Sequence, residues 1–77
     1  MIPPNAGERI REAREKRSLG LADLTRMVRR YVAGFLTGDL EVIEKGMSRP
    51  TESEWSVICA VMPEVLAPAE ARKGTDQ

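Results

Sequence analysis

The stretch that decides the fold is Thr37-Gly38-Asp39-Leu40-Glu41-Val42-Ile43-Glu44-Lys45-Gly46. Leu40 and Ile43 stand three positions apart, which puts both on one side of a helix, and no two-residue alternation of apolar and polar side chains runs through the segment. Thr37 is a residue type that caps helix N-termini, and Gly46 is the type that ends helices in a left-handed turn. The segment predicts a short helix from about Gly38 to Lys45 with Leu40 and Ile43 facing inward. Beyond it, Met47-Ser48-Arg49-Pro50 reads as a turn, because a proline ring pushes the residue before it out of the helical region. Thr51 and Glu54 then have the spacing of a capping box. Trp55, Ile58, Cys59 and Met62 mark the buried stripe of the helix that follows. Pro63 ends that helix or opens a further turn, in which Glu64-Val65-Leu66 adds one more helical turn against the core.

Toward the N-terminus, Phe35-Leu36 is a short apolar link and Gly34 suits a left-handed helix end. Leu21, Leu24, Met27, Val28, Tyr31 and Val32 recur at helical spacing. They predict a helix capped by Gly20, carrying Asp23 in its first turn and ending near Ala33. Ser18-Leu19-Gly20 separates it from an earlier helix over about 6–17. Asn5 and Glu8 form the expected capping box of that helix, and Ile10 and Ala13 its buried side. Arg9, Arg11, Lys16 and Arg17 are expected on a solvated face. The fold class is therefore all-α: a compact bundle of four to five helices. Its core is expected to hold Ile10, Leu24, Val28, Leu40, Ile43, Trp55, Ile58, Cys59 and Met62. Residues 1–5 read as a flexible arm, 6–66 as one domain, and 67–77 as a frayed or disordered tail.

Composition bounds the function. Seventy-seven residues make one domain, and 42% hydrophobic with 31% charged residues is a globular balance. Twelve basic and twelve acidic side chains cancel. The overall basic excess of many nucleic-acid binders is absent, so such a role must rest on local positions. The sequence contains no histidine, which removes the His base, the His metal ligand and the Ser–His pair. Its glycines are dispersed and form no phosphate cradle. The single Cys59, placed between Ile58 and Met62, reads as a small core residue and not as a nucleophile. It fits a reducing cytoplasm. The chain has no apolar run of membrane-spanning length, and Met1-Ile2-Pro3-Pro4 lacks the layout of a signal peptide. The expectation is a non-enzymatic cytoplasmic protein with no catalytic residue, cofactor, metal, small-molecule ligand or membrane partner.

Several segments, in order, resemble the lambda-repressor/Cro-like helix-turn-helix proteins, also called the xenobiotic-response-element family. Gly7-Glu8-Arg9-Ile10-Arg11-Glu12-Ala13-Arg14-Glu15-Lys16 is similar to their first helix, and Leu21-Ala22-Asp23-Leu24 to the opening of their second. Leu40-Glu41-Val42-Ile43-Glu44-Lys45-Gly46, with Arg49-Pro50-Thr51, resembles the third helix and the turn after it. Trp55, Ile58, Cys59 and Met62 fall at the apolar positions of the fourth. The likeness covers about Gly7 to Met62. The chain departs from it by an apparent insertion over Arg29 to Ala33, by Ala13 where a large Leu is usual, and by an unusually acidic third helix.

The resemblance implies a helix-turn-helix with a lengthened connection between helices two and three. It implies a regulator binding specific double-stranded DNA, as a possible homodimer on two half-sites. Thr37, Gly38, Asp39, Glu41 and Val42 would then touch base edges or a partner. Arg26, Arg29, Arg30, Lys45 and Arg49 are the candidate phosphate contacts. Arg14 and Glu44 are implied as a structural pair. The zero net charge and the acidic third helix motivate the alternative, an anti-activator or antirepressor that keeps this fold but contacts a regulatory protein instead of DNA.

Overall fold

The computed structural model describes residues 2–66. The tail expected over 67–77 lies outside these residues, as does Met1. Four α-helices follow in order: α1 (Ala6–Lys16), α2 (Leu21–Arg29), α3 (Thr37–Glu44) and α4 (Glu52–Val61), then a 3-10 turn (Pro63–Leu66). The all-helical bundle expected from the sequence is what the chain forms.

The helices pack because each shows one apolar stripe and the stripes meet in one core. Ile10, Leu24, Val28, Leu40, Ile43, Trp55, Ile58 and Met62 are all buried as expected. Ala6, Ala13, Phe35 and Val65 join them. Cys59 is only half-buried and packs against this cluster from outside. Burial pushes its thiol pKa up, so the sulfur is held as the less nucleophilic thiol. The small side chain of Ala13 leaves a hollow of about 50 Å³ beside Glu12, Lys16 and Glu64.

Two of the helices, α2 and α4, are capped from the positions read in the sequence. Thr51 Oγ1 accepts from the Glu54 N–H at 3.1 Å while Glu54 Oε1 accepts from the Thr51 N–H at 2.9 Å. Asp23 accepts from the Gly20 N–H at 3.1 Å. The third helix begins one residue earlier than read. Leu36 holds the cap position, and Asp39 reaches back to its N–H at 2.9 Å. Asn5 makes no side-chain cap; its Oδ1 accepts from Arg9 Nε at 3.0 Å instead.

Both α1 and α3 end in the same pair of reversed hydrogen bonds. At α3, Gly46 N–H reaches the Ile43 carbonyl and Met47 N–H the Val42 carbonyl, each at 3.0 Å. Gly46 takes φ 78° to allow it. At α1, Ser18 and Leu19 make the equivalent bonds to Glu15 and Arg14. Here a serine occupies the left-handed position, with φ 57°, where a Cβ crowds the backbone.

Further expectations are corrected. The second helix ends at Arg29 and not near Ala33. Tyr31 therefore leaves the helical stripe and stands 71% exposed, while Phe35, read as a link, is 2% exposed in the core. One large side chain was needed to close the core between α2 and α3, and the chain reversal through Gly34, at φ 84°, delivers Phe35 rather than Tyr31. Arg9 and Arg17 are not on a purely solvated face. Arg9 donates to the Val65 carbonyl at 3.2 Å, and Arg17 grips Glu64 with two hydrogen bonds of 2.6 and 2.8 Å. In the segment 2–5, Ile2 packs on the core and its carbonyl accepts from Arg49 at 3.0 Å.

Candidate functional site

The candidate surface is the outer side of α3, and its position is set from beneath. Leu40 and Ile43 are buried in the core. Glu44, at the last turn, is also buried, and meets Arg14 of α1 side-on: Arg14 Nε lies 2.7 Å from Oε2 and Nη2 lies 2.9 Å from Oε1. The side chains are 13% and 6% exposed. Arg14 spends a further donor on the Leu19 carbonyl at 2.8 Å, so one guanidinium ties α1, α3 and the turn into α2 together. Such a forked pair fixes orientation as well as distance. The hydrogen bonds to Glu44 raise the Arg14 pKa, against the opposing effect of burial.

A glycine completes this seam. Gly7 is buried on α1, and a Cβ built there would collide with the Ile43 carbonyl oxygen and crowd the Glu44 Cα. The backbones of α1 and α3 approach so closely that only glycine fits. The sequence reading did not single out Gly7. Gly7 is the second residue of α1, where a glycine is no conspicuous break in a helix, and only the close approach of α3 makes it obligatory.

The residues expected to touch a partner share the outer side of α3 only in part. Gly38, Asp39 and Glu41 are exposed; Thr37 and Val42 are half-buried. Gly38 has open space on its Cβ side. Asp39 is committed to capping the helix, and Glu41 pairs with Lys45 at 3.3 Å one turn along. Both carboxylates are thus partly explained by the helix itself.

The expected phosphate contacts are dispersed. Arg29 Nε donates to the Phe35 carbonyl at 2.8 Å, just ahead of α3. It is the member of the Arg26/Arg29/Arg30 group that the fold directs to this side. Arg26 and Arg30 line a different hollow, which reaches Val61 of α4. Arg29 is drawn off by the Phe35 carbonyl, so the three arginines do not act as one cluster. Arg26 pairs with Asp23 at 3.0 Å. Lys45 and Arg11 border a second hollow of about 490 Å³ at the far end of α3. Arg49 holds the Ile2 carbonyl. Arg11 was not among the expected contacts, and only the docking of α1 on α3 brings it there.

Among the described residues, no group of three or more His, Cys, Asp or Glu is arranged to hold a metal ion. None of the described helices is long and apolar enough to cross a membrane. No protein-family model, curated protein or solved structure matches this chain.

Proposed function

We propose that this protein is a small helix-turn-helix regulator of transcription that reads double-stranded DNA with α3. What supports this reading is the presentation of that helix. Its inner side is fixed by Leu40, Ile43 and the forked Arg14–Glu44 pair, while Gly38, Asp39 and Glu41 are held outward. A helix that enters a major groove needs this combination of a rigid back and a narrow front. The lack of a side chain at Gly38 lets backbone approach the groove wall. Arg29 near one end of α3, with Lys45 and Arg11 at the other, supplies cations for flanking phosphates. A homodimer would present two such helices about 34–36 Å apart.

The test is fluorescence anisotropy with a labelled duplex taken from upstream of the protein's own gene, measured against a scrambled duplex over a range of salt. The reading expects tighter binding to the native duplex and an affinity that falls linearly on a log–log plot against salt. Lys45→Ala should reduce that slope by about one. Absence of salt-sensitive binding to either duplex at low ionic strength overturns it.

A second reading is favoured by a specific observation: Asp39 and Glu41 are exposed on α3, while Arg26 and Arg30 lie on another side. On that reading the acidic helix docks on a basic surface of a regulatory protein. Because Asp39 caps the helix, Glu41→Gln is the cleaner discriminating change. It shifts base preference if α3 reads DNA. It weakens the protein complex, with no effect on DNA, if α3 is a docking helix.

A further inference from the structure

We propose that the groove between α2 and α4 binds an acidic amphipathic helix from a partner protein. This surface is separate from the outer side of α3, and the inference goes beyond either reading of that helix.

The groove is a hollow of about 560 Å³ with an apolar floor of Leu19, Met27, Tyr31 and Val61. It runs on past Tyr31 and Val61 into a shallower hollow of about 290 Å³ along Val57 and Ala60 of α4. Together they make a trough along two helices, the shape that receives the apolar side of a third. Tyr31 stands at the join, 71% exposed, with an apolar ring and a polar tip suited to a half-buried interface. The helix stripe that should have buried it ends at Arg29, and nothing within the described chain covers the ring.

Charge complementarity selects the occupant. Arg26 of α2 and Arg30, just past its C-terminal end, form the rim. Among the described residues, the only carboxylate lining this hollow is Asp23, and both its oxygens are engaged, one by the Gly20 N–H and one by Arg26. Arg30 has no hydrogen-bond or ion-pair partner among the described residues. The groove therefore offers an uncompensated guanidinium beside apolar surface, and the matching ligand is apolar on one side with carboxylates at its margin. A second copy of this chain fits poorly. A two-fold contact would place Arg30 of each copy against a rim whose one carboxylate among the described residues is already satisfied.

The test uses the full chain, isotopically labelled, in a backbone amide titration. The probes are two synthetic helical peptides with the same Leu/Ala stripe, one flanked by Glu and the other by Lys. The Glu peptide should shift the amides of Leu19, Met27, Arg30, Tyr31, Val57 and Val61, and bind at least about tenfold more tightly than the Lys peptide. Arg30→Glu, an exposed change that leaves the core untouched, should invert that preference; Tyr31→Ser should weaken both. Equal affinity for the two peptides, or shifts scattered over the domain, overturns the proposal. So do protein-concentration-dependent shifts of the same amides without peptide, which would mean a second copy is the occupant. So does peptide-induced release of amides from 67–77, which would mean the chain's own tail is. DNA titration reads α3 amides instead, so failure of one assignment is distinguishable from failure of the other.

Discussion

The seam between α1 and α3 and the seam between α2 and α4 are built on opposite terms. In the first, Gly7 lets two backbones touch, and Arg14 and Glu44 close the remaining gap with a forked, nearly buried ion pair. In the second, Met27 and Val61 line a hollow beside Tyr31, which stands outside the core. The contrast teaches where this small domain places its rigidity. The seam without slack lies behind α3. The seam with slack is the one for which we propose a ligand.

The largest expected effect is on the closed seam. Removing one partner of a buried ion pair costs about 3–5 kcal/mol, and a single core of this size supplies only about 3–5 kcal/mol in all. Glu44→Ala should therefore leave the chain largely unfolded at 25 °C by circular dichroism. A cooperative melt near the parent temperature would show that the pair is dispensable. Gly7→Ala forces the α1 and α3 backbones apart, an overpacking defect of about 3 kcal/mol. Urea titration should show a much lower midpoint with an unchanged slope, and an unshifted midpoint would mean the seam has room to spare.

A smaller effect is expected where α1 meets the 3-10 turn. Hydrogen bonds from Arg17, the leading cause, hold the Glu64 carboxyl below the ordinary glutamate range. A depressed carboxylate pKa contributes stability that is fully present above the unfolded value and is lost as pH falls through the folded one. Thermal melts should therefore weaken on acidification through that range, and Arg17→Ala should flatten this part of the profile. Both side chains are more than a third exposed, so salt should diminish the effect. The smallest effect belongs to the open seam. Arg30→Glu should alter stability by no more than about 0.5 kcal/mol, as for a surface position with no partner to lose. A clear destabilisation would mean that Arg30 already serves the fold, and the contrast between the two seams would fail.

Much of the architecture was legible because it is local. Thr51 and Glu54 cap α4 as their spacing requires, Gly46 reverses the chain after α3, and the Leu40/Ile43 pair lies in the core. The misreadings have one source. Tyr31 and Phe35 are both large, apolar and close to the end of α2, and periodicity favours Tyr31 simply because it continues the stripe. Which ring is buried depends on where the chain turns, and that is decided by the space left between α2 and α3. The candidate site was legible to a similar degree. Gly38, Asp39 and Glu41 are exposed on α3, but the Arg26/Arg29/Arg30 group divides because the Phe35 carbonyl, brought back by the chain reversal, takes Arg29.

By itself, the sequence determined the number of helices, their polarity of capping and most of the side chains they bury, since each of these follows from interactions within a few residues. Only the tertiary structure decided that Gly7 must be glycine, that Arg14 and Glu44 meet across thirty positions of chain, that Arg29 is drawn to the Phe35 carbonyl while Arg26 and Arg30 border a hollow, and that a trough lies open between α2 and α4. Those outcomes depend on how rigid helices settle against one another, and the free energy of that settling comes from close packing and desolvated charge, which no single segment contains.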